Sequence, residues 1–407
     1  MEMGDENMKE EGFSTDILDK LKESNHSYFR VDFLKALMIF LVIFDHTVPW
    51  QLKNYMGVAL WERISIPMFL VIMGFNMGLS FKRTGETSLK KLYSRNYFKK
   101  KFWRYIFPFL VLYMISTIFG LIVYEFNFEL LWFGQHFDVL ANPPHYRWDI
   151  IHLLIGILPF YGPGNWFIPV LFWSILIMPL IYKGFSGSLK WRIVTLILCY
   201  FVELSIYLGI YFILIPMVPP PNPEFYLYYS FFSTSPFFML SAIGLGMWFS
   251  RDHDIFSKKN YFVWGLFPIS LLYLVARQFF GIRIPFLFGD YHLMVFPYSA
   301  FLFLIIMYMI PEKVNENNYF IKGIRKISKS TYHILLTQIF YFGIVISIWG
   351  GHYGASILGI DLSYDPAQVF GYLLLNWVIC IPIGVFWWSE ENNVRENRYL
   401  SKISKPS

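Results

Sequence analysis

The stretch VDFLKALMIFLVIFDH, residues 31–46, opens an apolar run reaching Trp50 that is long enough to cross a bilayer, yet it holds Asp32, Lys35, Asp45 and His46. Charge inside such a segment is costly and needs a reason. A helix turns about 100° per residue, so Lys35 and His46, eleven positions apart, fall within roughly 20° of one another on one face. Asp32 lies about 40° to the other side of that line. At about 1.5 Å per residue, Lys35 and His46 are separated by roughly 16 Å along the axis. A polar stripe of this kind predicts a site entered from one membrane face with chemistry further in. Asp45, next in sequence to His46, points about 100° away from it, so the partner that orients the imidazole is expected from another span.

The rest of the chain places this stretch in its class. Hydrophobic residues make up 56% of 407 positions and charged residues only 15%, more apolar surface than a water-soluble fold of this size hides. The mean hydropathy is +0.45. Runs of about 20 apolar residues recur, without the two-residue alternation of outer-membrane strands. The fold expected is therefore all-α, a polytopic membrane helical bundle. Ten transmembrane helices are expected near 32–50, 60–81, 102–124, 163–182, 191–216, 228–250, 261–281, 291–311, 331–350 and 367–388.

Most of the 34 Lys and Arg residues fall at the two termini and in the even-numbered loops, 82–101 foremost. The opposite loops hold only Lys53, Arg147 and Arg283. Basic residues are retained on the cytoplasmic side of short loops, so both termini are expected there, in the cell membrane. The net charge of +6 belongs to this asymmetry and needs no nucleic acid to explain it; the basic second loop faces anionic membrane lipids by default. Residues 1–29 read as a polar cytoplasmic tail, 30–390 as the transmembrane domain and 391–407 as a C-terminal cytoplasmic tail. The only two cysteines, Cys199 and Cys380, lie inside expected spans, which leaves no disulfide framework and no metal-spaced pair.

Among candidate site residues, His46 is the side chain best suited to take a proton from a hydroxyl near neutral pH and return it to a leaving group. Glu203, Arg277, His292, His333 and Gln338 are the other polar residues in or beside spans; a Glu203–Arg277 ion pair would account for two of them structurally. The long connection 125–162 is rich in aromatics, among them Trp132 and Trp148. Its rings read either as an interfacial belt or as a platform for a sugar. Its apolar runs at 128–140 and 150–160 read as interfacial or re-entrant.

Several segments, in order, resemble the acyltransferase 3 family of membrane-embedded sugar O-acyltransferases. The first span is similar to the family's opening helix, in which a basic residue is followed by a histidine; here the pair is Lys35 and His46. IPMFLVIMGF at 66–75 resembles an apolar run ending in Ser-Gly-Phe, with Met73 in place of the serine. KKFWRYIFP at 100–108 is similar to the family's basic lead into the third helix, with Lys101 and Arg104 at the spacing of its paired arginines. GNWFIPVLFW at 164–173 and ISKSTYHILLTQ at 327–338 complete the series, the latter ending in Gln338 where the family has histidine. Lysine at 35 and 101 keeps the charge of arginine and loses its planar fork. Gln338 cannot transfer protons.

The resemblance implies an O-acyltransferase moving an acyl group, acetyl by first expectation, from an acyl-CoA cosubstrate to a hydroxyl of a glycan or lipid-linked sugar. Surface polysaccharide modification is the setting it implies. His46 is the implied catalytic base, Lys35, Lys101 and Arg104 the implied donor-binding residues, and Trp148 and Trp166 the implied acceptor-facing rings, with no permanently bound cofactor and no metal. Two other readings stand beside it: a transporter or flippase for a polar or lipid-linked solute, on the strength of Glu203 and Arg277, and a catalytically silent scaffold, on the strength of Met73 and Gln338.

Overall fold

The computed structural model describes residues 28–123, 125–126, 156–160, 162–220, 228–229, 231–312, 314–349, 356–357, 360–361 and 365–403. Within them the regular structure is helical apart from one short pair of strands, Ser356–Ile357 with Ile360–Asp361. The long helices are α1 (Phe29–Thr47), α2 (Ser65–Thr84), α3 (Arg95–Lys101, continuing through a π-helical turn at Phe102–Ile106 into Phe107–Val123) and α4 (Phe167–Phe185). There follow α5 (Leu189–Gly209), α6 (Leu240–Phe249), α7 (Tyr261–Phe280), α8 (Phe296–Met309), α9 (Tyr319–Trp349) and α10 (Pro366–Ile403).

Each of the ten expected spans falls on one of these helices. Among the described residues six helical stretches are both long and apolar enough to cross a membrane by themselves. The helices α6 and α8 are shorter apolar pieces, and α1 carries more charge than a plain span does. Helix α10 continues past position 390 to Ile403, through the boundary expected for the C-terminal tail.

Small residues position the centre of the bundle. In lipid no hydrophobic force draws helices together, so close backbone approach at glycines supplies the packing. Gly74 and Gly78 of α2, four apart, meet Gly246 and Ser250 at the α6 crossing: a Cβ on Gly74 would stand 2.1 Å from the Ile243 carbonyl oxygen, and one on Gly246 2.0 Å from that of Val71. The two backbones are therefore in contact over a full turn. Helix α9 packs along both α1 and α10; Gly384 of α10 sits against the Ile334 backbone, where a Cβ would be 2.5 Å from the Ile334 Cα. Prolines inside α4, α7 and α10, at Pro179, Pro268 and Pro382, are accommodated within the bundle as membrane helices allow.

The expected Glu203–Arg277 pair does not form. Glu203 is fully buried on α5 and accepts from the backbone N–H and hydroxyl of Ser241, at 2.9 and 2.7 Å, at the start of α6. Arg277 instead reaches Asp290, which Arg63 also holds at 2.8 Å. A carboxylate serving a helix N-terminus needs no arginine, and two guanidinium groups meet on a loop acid that hydropathy does not flag.

Candidate active site

Helices α1, α2, α3, α4, α9 and α10 enclose a cavity of about 1290 Å³ at the basic end of the bundle. Helix α1 gives it Asp32, Lys35, Ile39 and Val42, spaced three, four and three residues apart along one face. The π-helical turn of α3 gives Trp103, Arg104 and Tyr105, next to Lys101. An α-helix would fan these three consecutive residues over about 200°; the wider turn narrows that fan, and such turns are frequent at functional sites.

Lys35, Lys101 and Arg104 thus meet on one cavity. Among the described residues none of the three has a carboxylate within ion-pair distance. The Lys101 amine lies 5.6 Å from the ring centres of both Tyr97 and Tyr105, and the Arg104 guanidinium 5.3 Å from that of Tyr105. Lys99, Lys100 and Lys329 also line the cavity. Against this positive charge stand two buried acids. Asp32 accepts from the Ser328 hydroxyl at 2.6 Å. Glu391 faces His333 at 2.9 Å and pairs with Arg395, whose guanidinium also donates to the Trp103 carbonyl.

The His333–Glu391–Arg395 cluster is a feature sequence reasoning missed, apart from His333 itself. Glu391 and Arg395 fall in the expected tail, although an acid followed four positions later by a base is a recognisable helical pairing.

His46 continues the stripe of Lys35, Ile39 and Val42 but does not line the cavity. It lies one turn beyond Val42, the last α1 residue on the cavity wall, so Lys35 and His46 share a helix face but not this cavity. Its Nδ1 is 3.8 Å from Asp45 Oδ2, too long for a hydrogen bond and close enough for electrostatic support. Asp45 is itself fixed: Lys53 donates to its Oδ1 at 2.6 Å and to its backbone carbonyl at 2.7 Å. The fully buried Glu62 carboxyl lies against Asp45. The neighbouring acid is therefore closer to the imidazole than a 100° separation suggests, because Lys53 draws its side chain inward.

On the other side, His46 Nε2 faces the turn that leads into α4. This turn is tied to α9: the Gly162 N–H donates to the Ile339 carbonyl at 2.8 Å, and Gln338 Nε2 donates to the Pro163 carbonyl at 3.2 Å. Gly164 has φ +93°, a conformation that side chains disfavour, and a Cβ there would stand 3.5 Å from His46 Nε2 and 3.7 Å from Gln338 Nε2. His46, Gly164 and Gln338 converge, a grouping that only the fold reveals.

Trp166 follows in the same turn and stacks on Tyr291 with ring centres 5.8 Å apart. Trp148, Trp132 and the runs at 128–140 and 150–155 lie outside the described residues. His292, on the loop before α8, is fully buried and within 3.1 Å of the Tyr273 hydroxyl, away from this cavity.

Comparison with curated proteins and with solved structures returned no match. A family model described as an acyltransferase domain does match, over residues 28–403, from the residue before α1 to the end of α10. It spans every helix that builds the cavity and the His46 turn, and the chain belongs to that family, acyltransferase 3.

Proposed function

We propose that the protein is an O-acyltransferase that takes its acyl group from an acyl-CoA at the basic, cytoplasmic end and delivers it to a hydroxyl of a glycan or lipid-linked sugar reached from the opposite face. The observation that carries this reading is the set of three cations, Lys35, Lys101 and Arg104, lining one cavity without a carboxylate partner. With Lys99, Lys100 and Lys329 beside them, the cations on this cavity outnumber Asp32 and Glu391, and an anionic ligand balances the excess. Phosphates are the ligand chemistry that three such donors suit, and a volume above the roughly 300–1,000 Å³ of ordinary small-molecule pockets suits a long one.

In this reading the donor's phosphates rest among the three cations and its flexible arm runs along Lys35, Ile39 and Val42. For the thioester to reach His46, one turn beyond Val42, the Val42 and Phe167 side chains at that end of the cavity must part. His46 Nε2 takes the proton of the acceptor hydroxyl as its oxygen attacks the thioester carbon. The carbon–sulfur bond then breaks and the departing thiolate receives that proton. Asp45, held by Lys53, supports the imidazolium in between. Acetyl is the simplest group and the one to test first.

Comparative glycan mass spectrometry of cells with and without the gene tests the reading, and a mass difference of one acyl group is expected. His46→Ala should abolish the transfer while the protein remains in the membrane. Retained transfer in that variant would remove His46 from the mechanism.

A further inference from the structure

We infer that Gln338 is the oxyanion donor of this transfer, an assignment that rests on the acyl-transfer reading above. Its carboxamide is fully buried on α9. The nitrogen carries two hydrogens, and one of them is committed to the Pro163 carbonyl at 3.2 Å. No second acceptor for it is present among the described residues, and the Oε1 atom is buried without a donor. A buried amide left half-satisfied is costly, and a ligand that completes it removes the cost.

The geometry says where that ligand would stand. His46 Nε2 and Gln338 Nε2 both approach the point where Gly164 would carry a Cβ, at 3.5 and 3.7 Å. The missing methyl leaves a methyl-sized gap with a base on one side, an N–H donor on another and Ile339 Cγ1 at 3.6 Å. A reacting carbonyl needs both: a base for the attacking hydroxyl and a fixed dipole for the oxygen that becomes negative. The tie between Gly162 and the Ile339 carbonyl holds α9 and the turn together, so the donor is in place before the ligand arrives.

The step balances. The acceptor oxygen bonds to the thioester carbon while its proton moves to His46 Nε2, and the carbonyl π electrons pass to oxygen, where the second Gln338 N–H meets them. When the oxygen re-forms its double bond, the carbon–sulfur bond breaks and the thiolate takes the proton from His46. Gln338 gives up no proton at any stage, so a carboxamide is sufficient there.

The test uses full-length protein in membranes of its expressing host, which hold the acceptor, with acetyl-CoA as donor and release of free CoA thiol as the readout. Binding of acetyl-CoA is measured in parallel on detergent-purified protein. Gln338→Leu and the isosteric Gln338→Glu should lower kcat by about 10²–10³-fold while the acetyl-CoA KM stays within about twofold. Gln338→His, which keeps an N–H donor, should recover most of the rate. Wild-type kcat in Gln338→Glu, or a loss confined to KM, overturns the assignment and leaves the acyl-transfer reading intact. Loss of acetyl-CoA binding in both Gln338→Leu and Gln338→Glu makes the residue structural and also overturns it. A wild-type protein that neither binds nor consumes acetyl-CoA overturns the reading beneath and this assignment with it.

Discussion

Lys35 gives the most informative perturbation, because the proposed role and a structural role predict opposite signs. It stands on α1 in the cavity wall, in the electrostatic reach of Arg104, with no carboxylate at ion-pair distance among the described residues. In the empty protein a cation balanced only in part by Asp32 is a liability, and an apolar side chain of similar length removes its desolvation cost. A stabilisation on the order of 1 kcal/mol is expected for Lys35→Met. Donor binding should move the other way. A charge-assisted hydrogen bond is worth about 1.5–3 kcal/mol, so its loss should raise the acetyl-CoA KM by roughly 10- to 150-fold. Thermal unfolding in detergent, with and without acetyl-CoA, reads both terms at once. The ligand-free variant should melt at or above the wild-type temperature, and the increment added by a fixed donor concentration should shrink. A lower melting point without donor together with an unchanged increment would refute the reasoning, because it would make Lys35 a packing residue.

Two further substitutions test the frame. Gly246→Ala places a Cβ about 2.0 Å from the Val71 carbonyl oxygen, so α2 and α6 must separate. An over-packing cost of about 1–3 kcal/mol is expected, seen as a lower melting temperature in detergent; an unchanged melting temperature would show that the crossing is looser than described. Glu391→Ala removes the shared acceptor of His333 and Arg395. Breaking a buried pair typically costs about 3–5 kcal/mol, and because the Arg395 side chain is 35% exposed a loss nearer 2 kcal/mol is expected. Glu391→Gln should lose less, and equal stability of all three proteins would show that the cluster contributes nothing.

The helical frame and the basic half of the site were legible in the sequence for separate reasons. Spans register as hydropathy: the described residues are mostly helical, and six of their helical stretches are long and apolar enough to cross a membrane. The stripe from Lys35 toward His46 follows from the angle per residue, and Lys101 and Arg104 join it because loop charge places them at the same end. What could not be read is whatever depends on which helices touch. Glu203 and Arg277, paired in expectation as opposite charges in the fifth and seventh spans, have different partners because α6 offers a helix start to the one and the loop before α8 offers Asp290 to the other. Glu391 and Arg395 were hidden because a charged helix end looks like a tail until α9 is seen against it. Gln338 read as a departure from the histidine pattern; its meeting with His46 across Gly164 depends on a backbone tie between 162 and 339 that no spacing encodes.

That tie has a mechanical consequence. Helix α9 carries Ser328 and His333 in the wall of the basic cavity and, one to two turns further, Gln338 and Ile339 bound to the turn beside His46. The rod is continuous, so a slide or roll that widens the mouth also drags the turn at 162–164 past the imidazole. In the proposed mechanism the cavity wall and the turn beside the imidazole are thereby geared to a single shaft, so a shift of that helix which alters one alters the other.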